Sequence, residues 1–155
     1  MRWRIALIAV VLAGCSTPYQ EMGFAGGVKS QQVTGNTFRI VARGNGYTAG
    51  TTVQDYALLK AAETTKAAGG THFKIVSGSD ASSTGYIETS STARTTVTGN
   101  TAYTTFNPGS VHRYVKPGQD TYIRIFTVAP EQSPPPGAVS ADEIIQFVGS
   151  RVKRG

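Results

Sequence analysis

Apolar positions fall into a few sharply different patterns along the chain. The first is an unbroken run from Ile5 to Leu12, preceded by Arg2 and Arg4 and followed by the small residues Ala13 and Gly14 and then Cys15. From Thr37 to Arg43 (TFRIVAR), Phe38, Ile40 and Ala42 alternate with Arg39, Val41 and Arg43, the period of a half-buried strand. Past Gly44-Asn45-Gly46 the spacing becomes helical over Val53 to Ala68 (VQDYALLKAAETTKAA), with Ala57, Leu58, Ala61, Ala62, Thr65 and Ala68 on one side. Side chains that small let a helix sit close to a sheet. Thr52 with Asp55 reads as an acidic variant of the capping box at the start of this helix, and Gly69-Gly70 as its stop. Thr71 to Ser77 (THFKIVS) and Asp120 to Val128 (DTYIRIFTV) return to alternation and predict two further strands. Pro130 and Pro134-Pro135-Pro136-Gly137 form a stiff connector, after which Ser140 and Glu143 make a full capping box opening a short helix with Ile144, Ile145, Phe147 and Val148.

These elements predict an α+β domain: a small sheet of three to five strands, one long helix after the first strand and a short C-terminal helix. If the first two strands are parallel neighbours, the crossover through the helix is right-handed. Two stretches lack a clear period. Ser16 to Asn36 is polar, with Pro18 and Gly26-Gly27, and reads as a tether that becomes ordered near its end. In 78–105, fourteen of twenty-eight residues are Ser or Thr, which fits either two exposed, twisted strands or a mobile loop over part of the core. Gly99-Asn100, between TTVT and TAYTTF, is placed to close a hairpin. The expected organisation is a signal peptide at 1–14, a lipidated N-terminus and tether at 15–36, and a single domain at 37–155 carrying the Ser/Thr-rich insertion at 78–105. Removing 14 of the 155 residues leaves enough chain for one core and not two.

Composition agrees with a strand-rich reading. Charged residues make up 15%, below the usual ~25%, and Gly, Ser and Thr take their place, which argues against a helical bundle. The formal charge is +6, but Arg2 and Arg4 lie in the export segment, so the remainder has 13 basic and 9 acidic residues. Basic residues are dispersed apart from Arg151, Lys153 and Arg154, and no stripe suited to nucleic acid is formed, so nucleic acid is not an expected partner.

The apolar run at the start is about half the ~20 residues that a membrane-spanning helix needs, and polar Ser16 and Pro18 follow it closely. With its charged, apolar and small-residue sections, it has the form of a secretory signal. Leu12-Ala13-Gly14-Cys15 resembles the lipobox of bacterial lipoproteins. That resemblance implies a diacylglycerol on the Cys15 thiol, cleavage before Cys15 and acylation of the new amine. Each buried methylene contributes ~0.8 kcal/mol and stable anchoring needs about two chains, so such a protein stays on the membrane. Ser16 rather than Asp after the lipidated residue implies sorting to the outer membrane, on its periplasmic face. With no second cysteine, an internal disulfide is impossible.

TPYQ at 17–20, GNGYT at 44–48, VQDYALLKAAE at 53–63, FKIV at 73–76 and ADEIIQFVGSRV at 141–152 together resemble an uncharacterised family of small proteobacterial envelope lipoproteins. The resemblance implies the location and the kind of fold. It implies no mechanism, and the segment 78–105 departs most from its pattern.

Candidate chemistry is sparse. His72 lies in a predicted strand opposite Phe73 and His112 in a Gly- and Pro-flanked loop, and both read first as exposed polar residues rather than as bases or metal ligands. Asp55 and the pair Asp142-Glu143 read as helix-opening residues, with Glu63 on the polar helix side near Lys60 and Lys66. A glycosidase-type pair of Asp120 with Glu88 or Asp80 stays open. Gly44-Asn45-Gly46 lacks the spacing of a phosphate loop and reads as a turn at positive φ. Tyr47, Tyr56, Tyr86, Tyr103, Tyr114 and Tyr122 are ordinary strand and helix residues or glycan-stacking ones. No catalytic, cofactor-binding or metal-ligating residue is assigned, no cofactor is expected, and Cys15 is the one assigned site, for lipidation. The leading expectation is a non-catalytic interaction or structural module of the envelope, touching the membrane through its anchor and an envelope protein or peptidoglycan through its domain. The alternatives are a hydrolase acting on an envelope polymer, which requires a carboxylate pair about 5 or 7–9 Å apart, and a small-ligand or glycan binding module, which requires a pocket.

Overall fold

The strand predicted at Thr37–Arg43 (β2) forms with those bounds, following an earlier strand at Gly27–Gln32 (β1), in a computed structural model that describes residues 15–155. The expected signal peptide, 1–14, lies outside the described residues. The helix α1 spans Gly50–Ala67, and the later elements are β3 His72–Asp80, β4 Ser83–Glu88, β5 Thr92–Thr98, β6 Thr101–Asn107, β7 Val111–Lys116, β8 Gly118–Phe126, β9 Val139–Ser140 and α2 Ala141–Phe147. A short 3-10 turn at Gly149–Arg151 follows.

Five strands form the main sheet in the order β1-β2-β8-β3-β9, every neighbouring pair antiparallel. The two strands joined through α1, β2 and β3, therefore run parallel to each other but are not neighbours, because β8 returns between them. The condition of parallel neighbours is therefore not met, and the arrangement is a split one. Phe38, Ile40 and Ala42 of β2, Phe73 of β3 and Ile123 and Ile125 of β8 face α1, which contributes Val53, Tyr56, Ala57, Leu59, Ala61, Ala62 and Thr65 to the same core.

The helix begins earlier than predicted and its buried stripe is wider. Ala49 is the N-cap and offers no side-chain bond, so the Thr52/Asp55 capping box does not form. Asp55 instead takes a bidentate pair from Arg151, at 2.7 and 2.6 Å. Leu59 is 0% exposed whereas Leu58 is only half-buried. The reason is that α1 is covered twice, by the sheet and by α2 with its following turn, and Leu59 packs under Gly149 on the second side. Gly69, at φ +77, ends the helix in the left-handed conformation that glycine adopts without a steric cost. At α2 the predicted cap does form, with Ser140 Oγ accepting from the Glu143 N–H.

Three expectations need correction. Nine strands form among the described residues rather than three to five, because the Ser/Thr-rich segment pairs with itself and because β1 and the two-residue β9 add to the edges. The long helix follows the second strand. The segment expected as a tether, 15–36, holds β1, and within it Thr17 and Tyr19 are 1% and 6% exposed. β1 escapes notice because it is an edge strand: Val28 alone of its apolar side chains is buried, and Lys29-Ser30-Gln31-Gln32 point to solvent or the sheet margin.

The Ser/Thr-rich region takes the strand alternative. After a bulge between Ile75 and Ser77, β3 and β8 settle into a register that pairs Ser77 with Tyr122 and Asp80 with Gln119. The same offset continues through β4–β7, from Ser83 opposite Lys116 to Glu88 opposite Val111, and through β5–β6, from Thr92 opposite Asn107 to Thr98 opposite Thr101. Strands β4 to β7 are thus one long hairpin arm rising from the sheet, closed by the two-residue loop Gly99-Asn100. Gly99, at φ +62, occupies the first loop position, where a tight hairpin turn favours glycine. The Thr89 N–H donates to the Ser110 carbonyl at 2.9 Å and joins the two halves. Outside its root, the arm's residues are exposed almost without exception.

Candidate functional site

The assigned residue, Cys15, is exposed and is held against the domain from its first neighbours onward. The Thr17 N–H donates to Thr48 Oγ1 at 2.9 Å, Thr17 Oγ1 donates to the Ala25 carbonyl at 2.7 Å, and Tyr56 OH donates to the Thr17 carbonyl at 2.8 Å. From the β2–α1 loop, Asn45 Nδ2 donates to the Cys15 carbonyl at 2.7 Å while the Asn45 N–H donates to Thr17 Oγ1 at 3.0 Å. Asn45 Oδ1 accepts from the Tyr47 N–H and from Thr48 Oγ1, which fixes the loop that does this. TPYQ and GNGYT, two separate motifs in the sequence, therefore form one latch. None of Gly44, Asn45 and Gly46 has positive φ, contrary to the turn reading. The glycines serve close approach: a Cβ on Gly44 would lie 2.7 Å from the Thr48 Cβ, and one on Gly46 would lie 2.9 Å from the Tyr114 ring of β7.

Tyr19 continues the attachment. Its N–H donates to the Lys153 carbonyl at 2.8 Å and its carbonyl accepts from the Gly155 N–H at 3.1 Å, so the two ends of the described chain lie side by side. The Tyr19 ring meets the Tyr56 ring edge-on at 5.5 Å, and its hydroxyl donates to Glu63, which also pairs with Arg154 at 2.9 Å. Burial, reinforced by the hydrogen bond to the Glu63 carboxylate, raises the phenol well above its usual range, so Tyr19 stays protonated. Glu63 is thus a junction between the two chain ends, and not a residue turned only to Lys60 and Lys66. Lys60 reaches Glu21 and Lys66 reaches Asp142. Ser16, Pro18, Asp55, Tyr56, Arg151 and Arg154 border an open groove of about 530 Å³ beside Cys15. Of the C-terminal basic cluster, Arg151 and Arg154 are satisfied by Asp55 and Glu63.

The sheet face turned away from α1 carries a second charged group. Asp120 of β8 is 8% exposed and receives both Arg39 and Arg43 of β2, the latter at 2.7 Å. Burial alone would raise its carboxyl pKa, but the hydrogen bonds and charges of the two guanidinium groups outweigh that and hold it below the usual carboxylate range. Lys74 and Arg124 stand directly opposite each other on the same face, beside Pro135 and Pro136 of the connector.

The other candidates are not brought together. Asp80 accepts from the Ser82 N–H at 2.8 Å in the turn that opens the arm, and it pairs with Gln119, so it points to the opposite face from Asp120. Glu88 lies far out on the arm, opposite Val111. His72 contacts Thr71 Oγ1 at 2.9 Å. His112 lies in β7 rather than in a loop, 2.9 Å from Ser110 Oγ. Among the described residues no three His, Cys, Asp or Glu side chains converge on a point where a metal ion fits. The feature that sequence reasoning missed is the arm as a single object. Its signal was the constant distance of Ser/Thr-rich alternating segments from Gly99-Asn100.

Comparison of the chain with known protein families, with functionally characterised proteins and with solved structures finds no match.

Proposed function

We propose that the chain is a lipoprotein of the Gram-negative cell envelope, anchored through Cys15 to the periplasmic face of the outer membrane, and that its domain is a non-catalytic interaction module. The observation that carries this reading is the sequence Leu12-Ala13-Gly14-Cys15 at the end of a signal-like apolar run, with Cys15 exposed at the start of the described residues. The latch around Thr17 and Asn45 supports it, because it makes the lipid attachment point part of the domain's surface rather than the end of a free leash. Two of the five motifs in which the chain resembles small envelope lipoproteins, TPYQ and GNGYT, meet in space through the same contacts. The partner class proposed for the domain is an envelope protein or peptidoglycan, and the role of presenting it falls to exposed segments, the arm above all. Three carboxylates of the domain are drawn into ion pairs with arginine, Asp120 with two and Asp55 and Glu63 with one each, which favours a structural use of these carboxylates over an acid/base one.

Intact mass measurement of the protein extracted from membranes tests the anchor. The expected product begins at Cys15 and carries acyl chains, and Cys15→Ser leaves an unprocessed, unacylated precursor. If parent and variant mature to the same mass with no acyl chains, the reading is wrong. Density-gradient fractionation tests the address, and co-sedimentation with inner-membrane markers overturns the outer-membrane assignment.

A further inference from the structure

The arm leaves three needs unmet. Both its edges, β4–β5 on one side and β6–β7 on the other, expose rows of backbone N–H and C=O groups with no partner strand among the described residues. A ribbon of two strands with no covering layer is marginal in water, and open edges of this length pair with other chains. The outer half of the arm is also two-faced. Ala93, Thr95 and Val97 share a face with Phe106, Thr104 and Ala102, while Thr92, Arg94, Thr96 and Thr98 share the other with Asn107, Thr105, Tyr103 and Thr101. From Thr89 to Val111, Arg94 is the one charged residue in the sequence, and it lies on the polar face. Val97 and Phe106 are both more than 60% exposed, so the apolar face has no cover within the chain.

The root of the arm and the lipid attachment point lie together. The Gly44 N–H donates to the Pro117 carbonyl at 2.9 Å, Gly46 lies against Tyr114 of β7, and Asn45 between them holds Cys15. A chain anchored at Cys15 therefore carries the root of the arm near the membrane surface.

We infer that the arms of several copies of this chain pair edge to edge into a closed β-barrel whose outer segment, about residues 90–109, crosses the bilayer with the Ala93/Phe106 face toward lipid. One hairpin cannot enter hydrocarbon alone, because its edges would lose water without gaining partners, whereas closure satisfies both edges at once. β5 and β6 pair over seven residues each, and continuing the same register to Ser90 and Gly109 gives nine per strand, which at ~3.3 Å each and tilted by ~40° cover ~23 Å, against an apolar band ~25 Å tall in such barrels. Each chain supplies two strands, so the narrowest membrane barrels, of about eight, require at least four copies. The polar Thr-rich face and Arg94 then line the lumen, and the charged lower half with Glu88, Arg113 and Lys116 stands outside the hydrocarbon.

The placement at a membrane rests on the proposed lipid anchor, and the experiment separates the two. Full-length protein purified from membranes in detergent is measured for acyl mass, for oligomer size, and for conductance when added to planar bilayers. Two variants at adjacent positions on opposite faces are compared, Ala93→Arg and Thr92→Arg, both far from the folded core. The expected results are oligomers of four or more copies, discrete conductance steps, at least tenfold fewer insertions for Ala93→Arg, and near-parental insertion with shifted ion selectivity for Thr92→Arg. The inference is overturned if the protein is monomeric or gives no conductance, if it forms oligomers in solution that never insert, or if both variants lose insertion alike. Absent acyl chains overturn the anchor alone, since conductance of protein added from detergent still decides the barrel.

Discussion

Asn45 and Cys15 are joined by a hydrogen bond of 2.7 Å from the Asn45 side-chain amide to the Cys15 carbonyl, across thirty residues of sequence. The same side chain accepts two bonds inside its own loop, so it is the centre of the latch and not a peripheral contact. Asn45→Ala removes all three. With a net worth of ~1 kcal/mol per bond, the expected cost is ~1–3 kcal/mol, and the Cys15–Thr17 segment becomes accessible to protease. Urea unfolding and limited proteolysis of the chain expressed from residue 15 onward, with Cys15→Ser, read both effects. Parental stability together with parental protease resistance would show that the latch does not hold the segment.

Two adjacent leucines should behave differently. Leu59 is fully buried where α1 is covered by α2 and its following turn, so Leu59→Ala should cost ~2–5 kcal/mol in transfer and cavity terms. Leu58 borders an open groove of about 240 Å³ with Ile75, Gln119 and Thr121, so Leu58→Ala should cost less than half as much. Equal shifts in urea midpoint for the two variants would contradict the difference in burial between Leu59 and Leu58.

Stability should fall in acid partly through Asp120. Its folded pKa is depressed below the unfolded value of ~3.9, so in that window the unfolded chain binds more protons and the native state loses ground as pH drops. The contribution is complete above the unfolded pKa and disappears as pH falls through the folded one. The expected signature is a stability gap between the parent and Asp120→Asn that is wide at pH 7 and narrows below about pH 4. A gap independent of pH would show that the two arginines do not set this carboxyl.

Removing the arm should leave the domain folded. Replacing 84–115 by Asn-Gly keeps the Ser83–Lys116 pair as the base of a two-residue hairpin, and the excised residues include no member of the core. Circular dichroism should show a cooperative transition within a few degrees of the parent's. Loss of cooperative unfolding would mean that the arm stabilises the sheet it grows from.

Much of this architecture can be read where burial imposes a period. β2, α1, β3, β8 and α2 each turn one apolar face to the same core, and Phe38/Ile40/Ala42, Ala57/Ala61/Thr65 and Ile123/Ile125 announce it in sequence. Ser140 also announces its role, because an N-cap is a local bond that the next three residues complete. The rest is held by long-range pairing that leaves no period. β1 is an edge strand with one buried apolar side chain, and its place is set by backbone bonds to β2. Asp55 is a plausible cap by spacing, yet it goes to Arg151, ninety-six residues away, and only the fold makes that visible. The arm hides for a different reason: Thr suits both an exposed strand and a disordered tract, and the deciding fact is the shared register on either side of Gly99-Asn100. The proposed lipid site is the opposite case, since the signal for it is a short local motif and the fold around Cys15 adds none.

The pairing of Tyr19 with Lys153 and Gly155 also sets how the protein bears a mechanical load. A pull applied at Cys15, the proposed anchor point, meets the hydrogen bonds of Thr17 first and the short bridge at Tyr19 next. These few bonds open one after another, like a peeled seam. Only then does the tension reach β1, whose six residue pairs with β2 are loaded together along the strand. The seam therefore acts as a fuse, yielding by about twelve residues of slack before the sheet is stressed, while the C-terminal turn that covers Leu59 stays held by Arg151 on Asp55.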